Sequence, residues 1–303
     1  MKPSDAKKTM LINFSGGRTS AFMARLISLS PLYKDFKKVY VFANTGREHD
    51  ETLDFVNDCD KKFNLNVVWV EAIISQDLGV GPKCKVVDYK SAHRRDMPNS
   101  PFDQLVQKLD IPNPAKKGHC TRDLKITPIH KYMNHHYGRN WIEAIGIRAD
   151  EKHRIKDKFY PLADLNIDEQ VVREFWQRQD FDLQLKDYQG NCDLCFKKSL
   201  KKKLTIIKED PDCVKKWMHD ENVSKKRYIY DRTGMPISEL VKMSKEYFKP
   251  AKDKLESGVF YPRFEFCNTL DEKTGLKIED LNLNKEEDCL CSSAEYNTEG
   301  AEK

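Results

Sequence analysis

Three stretches of the chain carry residue types and spacings that could do chemistry. In LINFSGGRTSAFMARL, an apolar run meets Ser15, Gly16, Gly17, Arg18, Thr19 and Ser20 before a helical pattern begins. A tight glycine turn ending at a helix N-terminus aims backbone N–H groups and the positive end of the helix dipole at one spot, which then favours an anion. The hydroxyls of Ser15, Thr19 and Ser20 could add donors. The Gly-Lys-Ser/Thr ending of a Walker loop is missing, as is the third glycine of the dinucleotide fingerprint. An ordinary strand-to-helix turn with a serine cap fits the same residues.

The second stretch, Asn191-Cys192-Asp193-Leu194-Cys195, is a CxxC. In a reducing compartment that spacing serves a metal site or a redox pair, or arises by chance. Thioredoxin-type strand and helix patterns do not surround it. The third, GIRADEKHR, offers Arg148 and Arg154, whose guanidinium groups suit bidentate contacts to phosphate or sulfate oxygens. A surface ion pair with Asp150 or Glu151 is the competing reading.

These residues need a scaffold, and the pattern around them supplies one. Strands are predicted at 9–14, 38–43 (KVYVFA), 65–73 (LNVVWVEAI) and 141–147 (WIEAIGI), with helices at 20–28, 51–63, 102–109, 127–137 and 168–179. Strands alternating with helices predict an α/β fold: a doubly wound, mostly parallel sheet covered by helices on both faces. The polar, proline-containing segment 74–120 reads as an insertion, and such insertions usually serve function. The expected organisation is an α/β domain over 1–200, then a mainly helical region over 201–303 with a polar, acidic tail.

Composition sets outer bounds. The 303 residues are 39% hydrophobic and 33% charged, with 13 Gly and 13 Pro, so a packed core is expected rather than disorder. No apolar run approaches the roughly 20 residues that span a bilayer, and the run after MKPSDAKKTM is too short for a signal-peptide core. The expected location is the cytoplasm, with no membrane partner. There, nine cysteines are not expected to form a disulfide framework. The net charge of +5 is mild, but lysines crowd positions 197–203 and 225–226, as a solvated face or a phosphate-contact surface.

With these residues in view, SGGRTS after an N-terminal strand resembles the PP-loop of N-type ATP-pyrophosphatases and phosphoadenosine phosphosulfate (PAPS) reductases. FANTGRE, with Asn44, Thr45 and Gly46, is similar to the NTG-with-acid segment after the second strand of the reductase branch. GIRADEKHR is similar to the family's Gly-x-Arg segment, and FYPLADLNIDEQVVREFW to the stretch leading into its C-terminal helices. The resemblance spans roughly residues 9–200. It implies that 15–20 and 44–46 bind ATP with Mg²⁺, or PAPS or adenylyl sulfate (APS), and that Lys125 and Arg122 lie near nucleotide phosphates or cluster.

GHCTRDLKITPI resembles the segment of cluster-bearing sulfonucleotide reductases in which a Cys-Cys pair precedes a basic run and a later CxxC. Here the pair is His119-Cys120. The three remaining thiolates, Cys120, Cys192 and Cys195, suit a [4Fe-4S] cluster with one iron open or with an unusual fourth ligand. Zinc completed by His119 also fits. The resemblance implies adenylation of a substrate for sulfur transfer, with a nucleic-acid acceptor and a sulfur donor or thioredoxin-like reductant as partners. A reductase would attack sulfur with a C-terminal cysteine. Cys289 in EEDCLCSS is that candidate, although the Gly and His of the reductase motif are absent. Non-catalytic nucleotide binding is the remaining reading. Cys59, Phe175 and Trp176 are expected in the core, and His135 and His136 on the surface.

Overall fold

A computed structural model describes residues 8–112, 118–190, 192–224 and 234–246. Five strands form one sheet in the order β4-β3-β2-β1-β5. They are β1 (Lys8–Asn13), β2 (Phe36–Asn44), β3 (Val68–Ile73), β4 (Lys83–Val87) and β5 (Trp141–Ala144). β1 pairs in parallel with β2 and β5, and β2 with β3. β4 runs antiparallel to β3, from Trp69 opposite Val87 to Ile73 opposite Lys83. The expected mostly parallel α/β sheet is therefore present, with an added antiparallel edge. No helix among the described residues is long and apolar enough to cross a membrane.

Side-chain alternation along the strands builds two apolar layers. Met10, Ile12, Tyr40, Phe42 and Trp69 face a layer shared with α1 (Arg18–Leu29), α2 (Asp50–Phe63) and α6 (Glu169–Trp176). Their neighbours Leu11, Val39, Val41 and Val70 face the other side, where Ile129 and Met133 of α4 (Thr127–Tyr137) pack. Cys59, Phe175 and Trp176 are fully buried in the first layer. His135 and His136 are exposed on α4.

A third apolar cluster joins α3 (Pro101–Leu109) of the insertion to the C-terminal helices α7 (Leu200–Glu209), α8 (Val214–Val223) and α9 (Ile237–Glu246), around Phe102, Leu124, Leu204 and Trp217. A short helix, α5 (Pro161–Asp164), precedes α6. The helix expected over 168–179 ends at Trp176, and the side chain of Asp168 caps it by accepting from the Val171 N–H. α4 is entered through a π-helical turn, Thr121–Ile126.

β2 and β5 lie on opposite sides of β1, so the chain reverses direction across the sheet there. In such sheets the crevice beyond the strand ends at this reversal is where ligands bind. The 15–20 loop follows β1 into it.

Candidate functional site: the crevice beyond β1 and β2

The glycine loop holds its shape by local bonds. Ser20 Oγ accepts from the Ser15 N–H at 3.1 Å and from Ser15 Oγ at 3.0 Å, and donates to the Gly17 carbonyl. Gly16 has φ +79°, and a Cβ there would lie 2.6 Å from Thr52 Cγ2 of α2, so only glycine fits. α1 opens at Arg18 with Gly17 as its N-cap and no side-chain cap bond, so its first N–H groups lack intrahelical partners. Arg18 points elsewhere. It forms a bidentate pair with Asp182 at 2.6 and 2.7 Å and also donates to the Leu183 carbonyl, locking α1 to the segment after α6.

Arg148 does reach the loop. Gly146 packs directly on Ser20, where a Cβ would sit 3.3 Å from Ser20 Cα. Two residues later, Arg148 Nη1 lies 3.4 Å from Thr19 Oγ1. Its remaining nitrogens grip Asp150 at 2.9 and 2.7 Å, with Glu169 at 3.6 Å. Burial would lower the Arg148 pKa, but the bonds to Asp150 and the charges of Glu151 and Glu169 outweigh it and hold the proton firmly. Arg154 pairs with Glu151 at 2.6 Å in the same buried cluster.

The segment after β2 is a second loop of close local bonds. Glu48 Oε2 accepts from the Thr45 N–H at 2.9 Å and from Thr45 Oγ1 at 2.7 Å. Asn44 donates to Glu71 Oε1 at 2.7 Å and to the His93 carbonyl, and its own oxygen accepts from the Gly46 N–H. The side chains of Asn44 and Thr45 thus shape the turn. Gly46, with φ +76°, is covered by the insertion, since a Cβ would lie 2.5 Å from Ser100 Cβ and 3.3 Å from His93 Cβ. Arg47 leaves the turn in the other direction. It stacks over Phe102 and Trp217 and pairs with Asp103 and Asp220, tying the crevice to α3 and α8.

The three proposed thiols lie in adjacent segments. Gly118 packs on Phe196, where a Cβ would be 3.1 Å from the ring, which brings 118–120 against the CxxC loop. The backbone of Glu48 pairs with that of Cys192. Lys125 pairs with Glu48 at 3.2 Å. Burial, then Cys195, raises the Cys120 pKa to about 11. Burial, then the Glu48 charge, pushes Cys192 well above its usual value, with Lys125 opposing and Cys195 and Cys120 adding. Burial lowers Lys198 to about 8. The donor types suit a soft metal centre. As they stand, no three or more His, Cys, Asp or Glu among the described residues are arranged to hold a metal.

Arg122 is bidentate to its neighbour Asp123. Cys289, Cys291, Cys267 and the basic residues 225–227 lie outside the described residues. Sequence reasoning did not single out Glu71, His93's bond to it, Glu48's role as a hub, or Asp220. Asp220 and the ties of Glu48 to Lys125 and Cys192 depend on partners far along the chain, and Glu71 meets His93 across 22 residues. The acid in NTGRE was the one local signal available.

Comparison with known proteins agrees with the geometry. A family model described as the phosphoadenosine phosphosulfate reductase domain matches residues 9–170. The nin region protein ORF290 of Escherichia phage lambda is 36% identical over 197 residues, which is 63% of this chain and 67% of that protein. No solved structure matches the chain.

Proposed function

This chain belongs to the phosphoadenosine phosphosulfate reductase domain family, and on that premise we propose that it is an enzyme that binds ATP with Mg²⁺ at residues 15–20 and breaks it between the α- and β-phosphates. The observation that carries this reading is the contact between Arg148 and Thr19, which puts a fixed cation at the open end of the glycine loop. An acceptor oxygen would attack the α-phosphorus, the bond to the β-phosphate would break, and pyrophosphate would leave with its electron pair. A sulfur or nitrogen nucleophile would then displace AMP. Oriented phosphates and cationic stabilisation serve such in-line transfer without a covalent protein nucleophile. The α1 N-terminus and Arg148 would hold the phosphates, with Arg154 fixing Glu151 beside them.

We assign Cys120, Cys192 and Cys195 as the donors for a [4Fe-4S] cluster, which would supply sulfur delivery when bound. Zinc with His119 is the second assignment. The acceptor class we favour is a nucleic acid, supported by the exposed Lys201 and the half-buried Lys197 and Lys202 beside the thiol segments, whereas Lys203 of the same run is buried. A second reading is reduction of PAPS or APS, favoured by the family description itself.

Release of pyrophosphate from ATP by the full-length protein, purified without oxygen, is the expected result. Sulfite release from PAPS with thioredoxin, abolished by Cys289→Ser, would replace the first reading with the second. Nucleotide binding without either turnover would leave a non-catalytic binding protein. Iron and sulfide in the anaerobic protein support the cluster, and a colourless protein free of iron overturns it.

A further inference from the structure

One imidazole in the crevice is held by a carboxylate and has no part in the phosphate contacts above. Glu71 sits on β3, directly opposite Asn44 of β2, with 2% of its side chain exposed. Its two oxygens take His93 from two directions. Oε1 accepts the His93 backbone N–H at 2.8 Å, and Oε2 lies 2.8 Å from His93 Nδ1. Asn44 Nδ2 adds a third donor to Oε1 and also bonds the His93 carbonyl.

An ionised carboxylate can only accept, so in the neutral ring Nδ1 carries the proton and Nε2 keeps a lone pair. The carboxylate fixes the tautomer and the ring plane. His93 Cβ rests on Gly46, at the mouth of the crevice, and 27% of the side chain is exposed. The ring is therefore partly open to solvent from a position that the backbone, not only the side chain, holds in place. A structural histidine needs only one of these bonds; here Asn44, Glu71 and both His93 backbone groups converge to set a single ring orientation.

We propose that His93 is a catalytic base whose Nε2 takes the proton from the group that attacks the α-phosphorus. This rests on the adenylating reading above. In the adenylating step an acceptor hydroxyl oxygen bonds to the α-phosphorus, its proton passes to Nε2 and pyrophosphate leaves; in the assay without acceptor, water takes the hydroxyl's place, its oxygen bonds to the α-phosphorus and one proton passes to Nε2. The bond to the β-phosphate breaks, and AMP and pyrophosphate result. Glu71 is then a positioning residue.

The test uses the full-length protein with ATP and Mg²⁺ and two measurements. Diethyl pyrocarbonate labelling of His93, read by mass spectrometry, is expected to slow at least several-fold when ATP is bound. ATP that binds, by separate titration, without protecting His93 overturns the proposal. In the second measurement, His93→Asn keeps an amide donor for Glu71 and removes the base. It should bind ATP as tightly as the parent while pyrophosphate release falls about 10²- to 10⁴-fold. His93→Ala should regain activity with added imidazole, which a purely structural histidine would not show. Unchanged turnover in His93→Asn, or no rescue in a folded His93→Ala, overturns it. A parent that binds ATP and protects His93 yet releases no pyrophosphate fails the adenylating reading itself, and the base assignment falls with it.

Discussion

Arg148 touches Thr19 of the glycine loop with one nitrogen and is gripped by Asp150 with two others. A carboxylate thus occupies the fork that a phosphate would use, because both are planar-edged anions that accept two parallel N–H bonds. Nucleotide must displace Asp150, whose side chain is 38% exposed and so exchanges with solvent at modest cost. Asp150→Asn should tighten nucleotide binding about two- to five-fold. Titration with a fluorescent ATP analogue measures it, and unchanged or weaker binding would show that Arg148 does not meet the phosphates.

Gly16 allows no side chain. Gly16→Ala meets Thr52 at 2.6 Å and forces a positive φ on alanine. We expect a loss of about 1–3 kcal/mol and of nucleotide binding. Adding Thr52→Ser removes the methyl group but not the backbone strain. The double variant should therefore recover only part of the stability in thermal melts, and full recovery would mean that the clash alone matters.

Arg47 and Asp220 differ in what their removal leaves behind. Without Arg47, Asp103 and Asp220 face each other in a buried space, whereas without Asp220 the arginine keeps Asp103 and two aromatic rings. Arg47→Met should cost about 3–5 kcal/mol. Asp220→Asn should cost much less, because burial and then Asp103 already hold its carboxyl above the usual range, outweighing the opposing pull of Arg47. A group whose folded pKa is raised stabilises the fold at low pH and loses that contribution as pH rises through the folded value. The stability gap between Asp220→Asn and the parent should therefore shift in favour of Asn from below pH 4 towards neutrality. Urea melts at the two pH values check the sign.

Thiol reactivity gives a separate handle on the second site. In metal-free protein at pH 8, a Cys120 thiol with a pKa of about 11 is about 0.1% thiolate, so alkylation should be far slower than for an ordinary cysteine. Lys125 opposes this rise at both Cys120 and Cys192. Lys125→Met should slow labelling of both further, read by mass spectrometry. Faster labelling would mean that the lysine does not face the thiols.

The sheet was legible where periodicity and punctuation agree. KVYVFA and the SGG turn mark β2 and the start of α1, and the matching layers follow from alternation along the strands. β4 was missed, because KCKVV is short, carries Lys83 and Lys85, and sits in a segment rich in glycine and proline. Its edge position lets it be polar, which removes the signal a buried strand would give. The glycine loop could be found from local residues alone. Arg18 could not be placed that way: position in the motif put it beside the phosphates, but its partner Asp182 lies 164 residues away. The same distance problem hid Arg47 with Asp220 and Glu71 with His93.

The insertion is fastened at both ends of one short stretch. His93 and Ser100 close over Gly46, and Phe102 donates its N–H to the Thr45 carbonyl. Lys216 holds the carbonyls of Arg95 and Met97 from α8. Residues 94–99 thus form an arch on fixed footings. This arch borders a hollow of about 480 Å³ between α3 and α8, lined by Asn99, Asp103, Asp110, Lys216, His219 and Asp220. Relatives that lengthen or shorten this arch would remodel that hollow and leave the floor of the crevice unchanged.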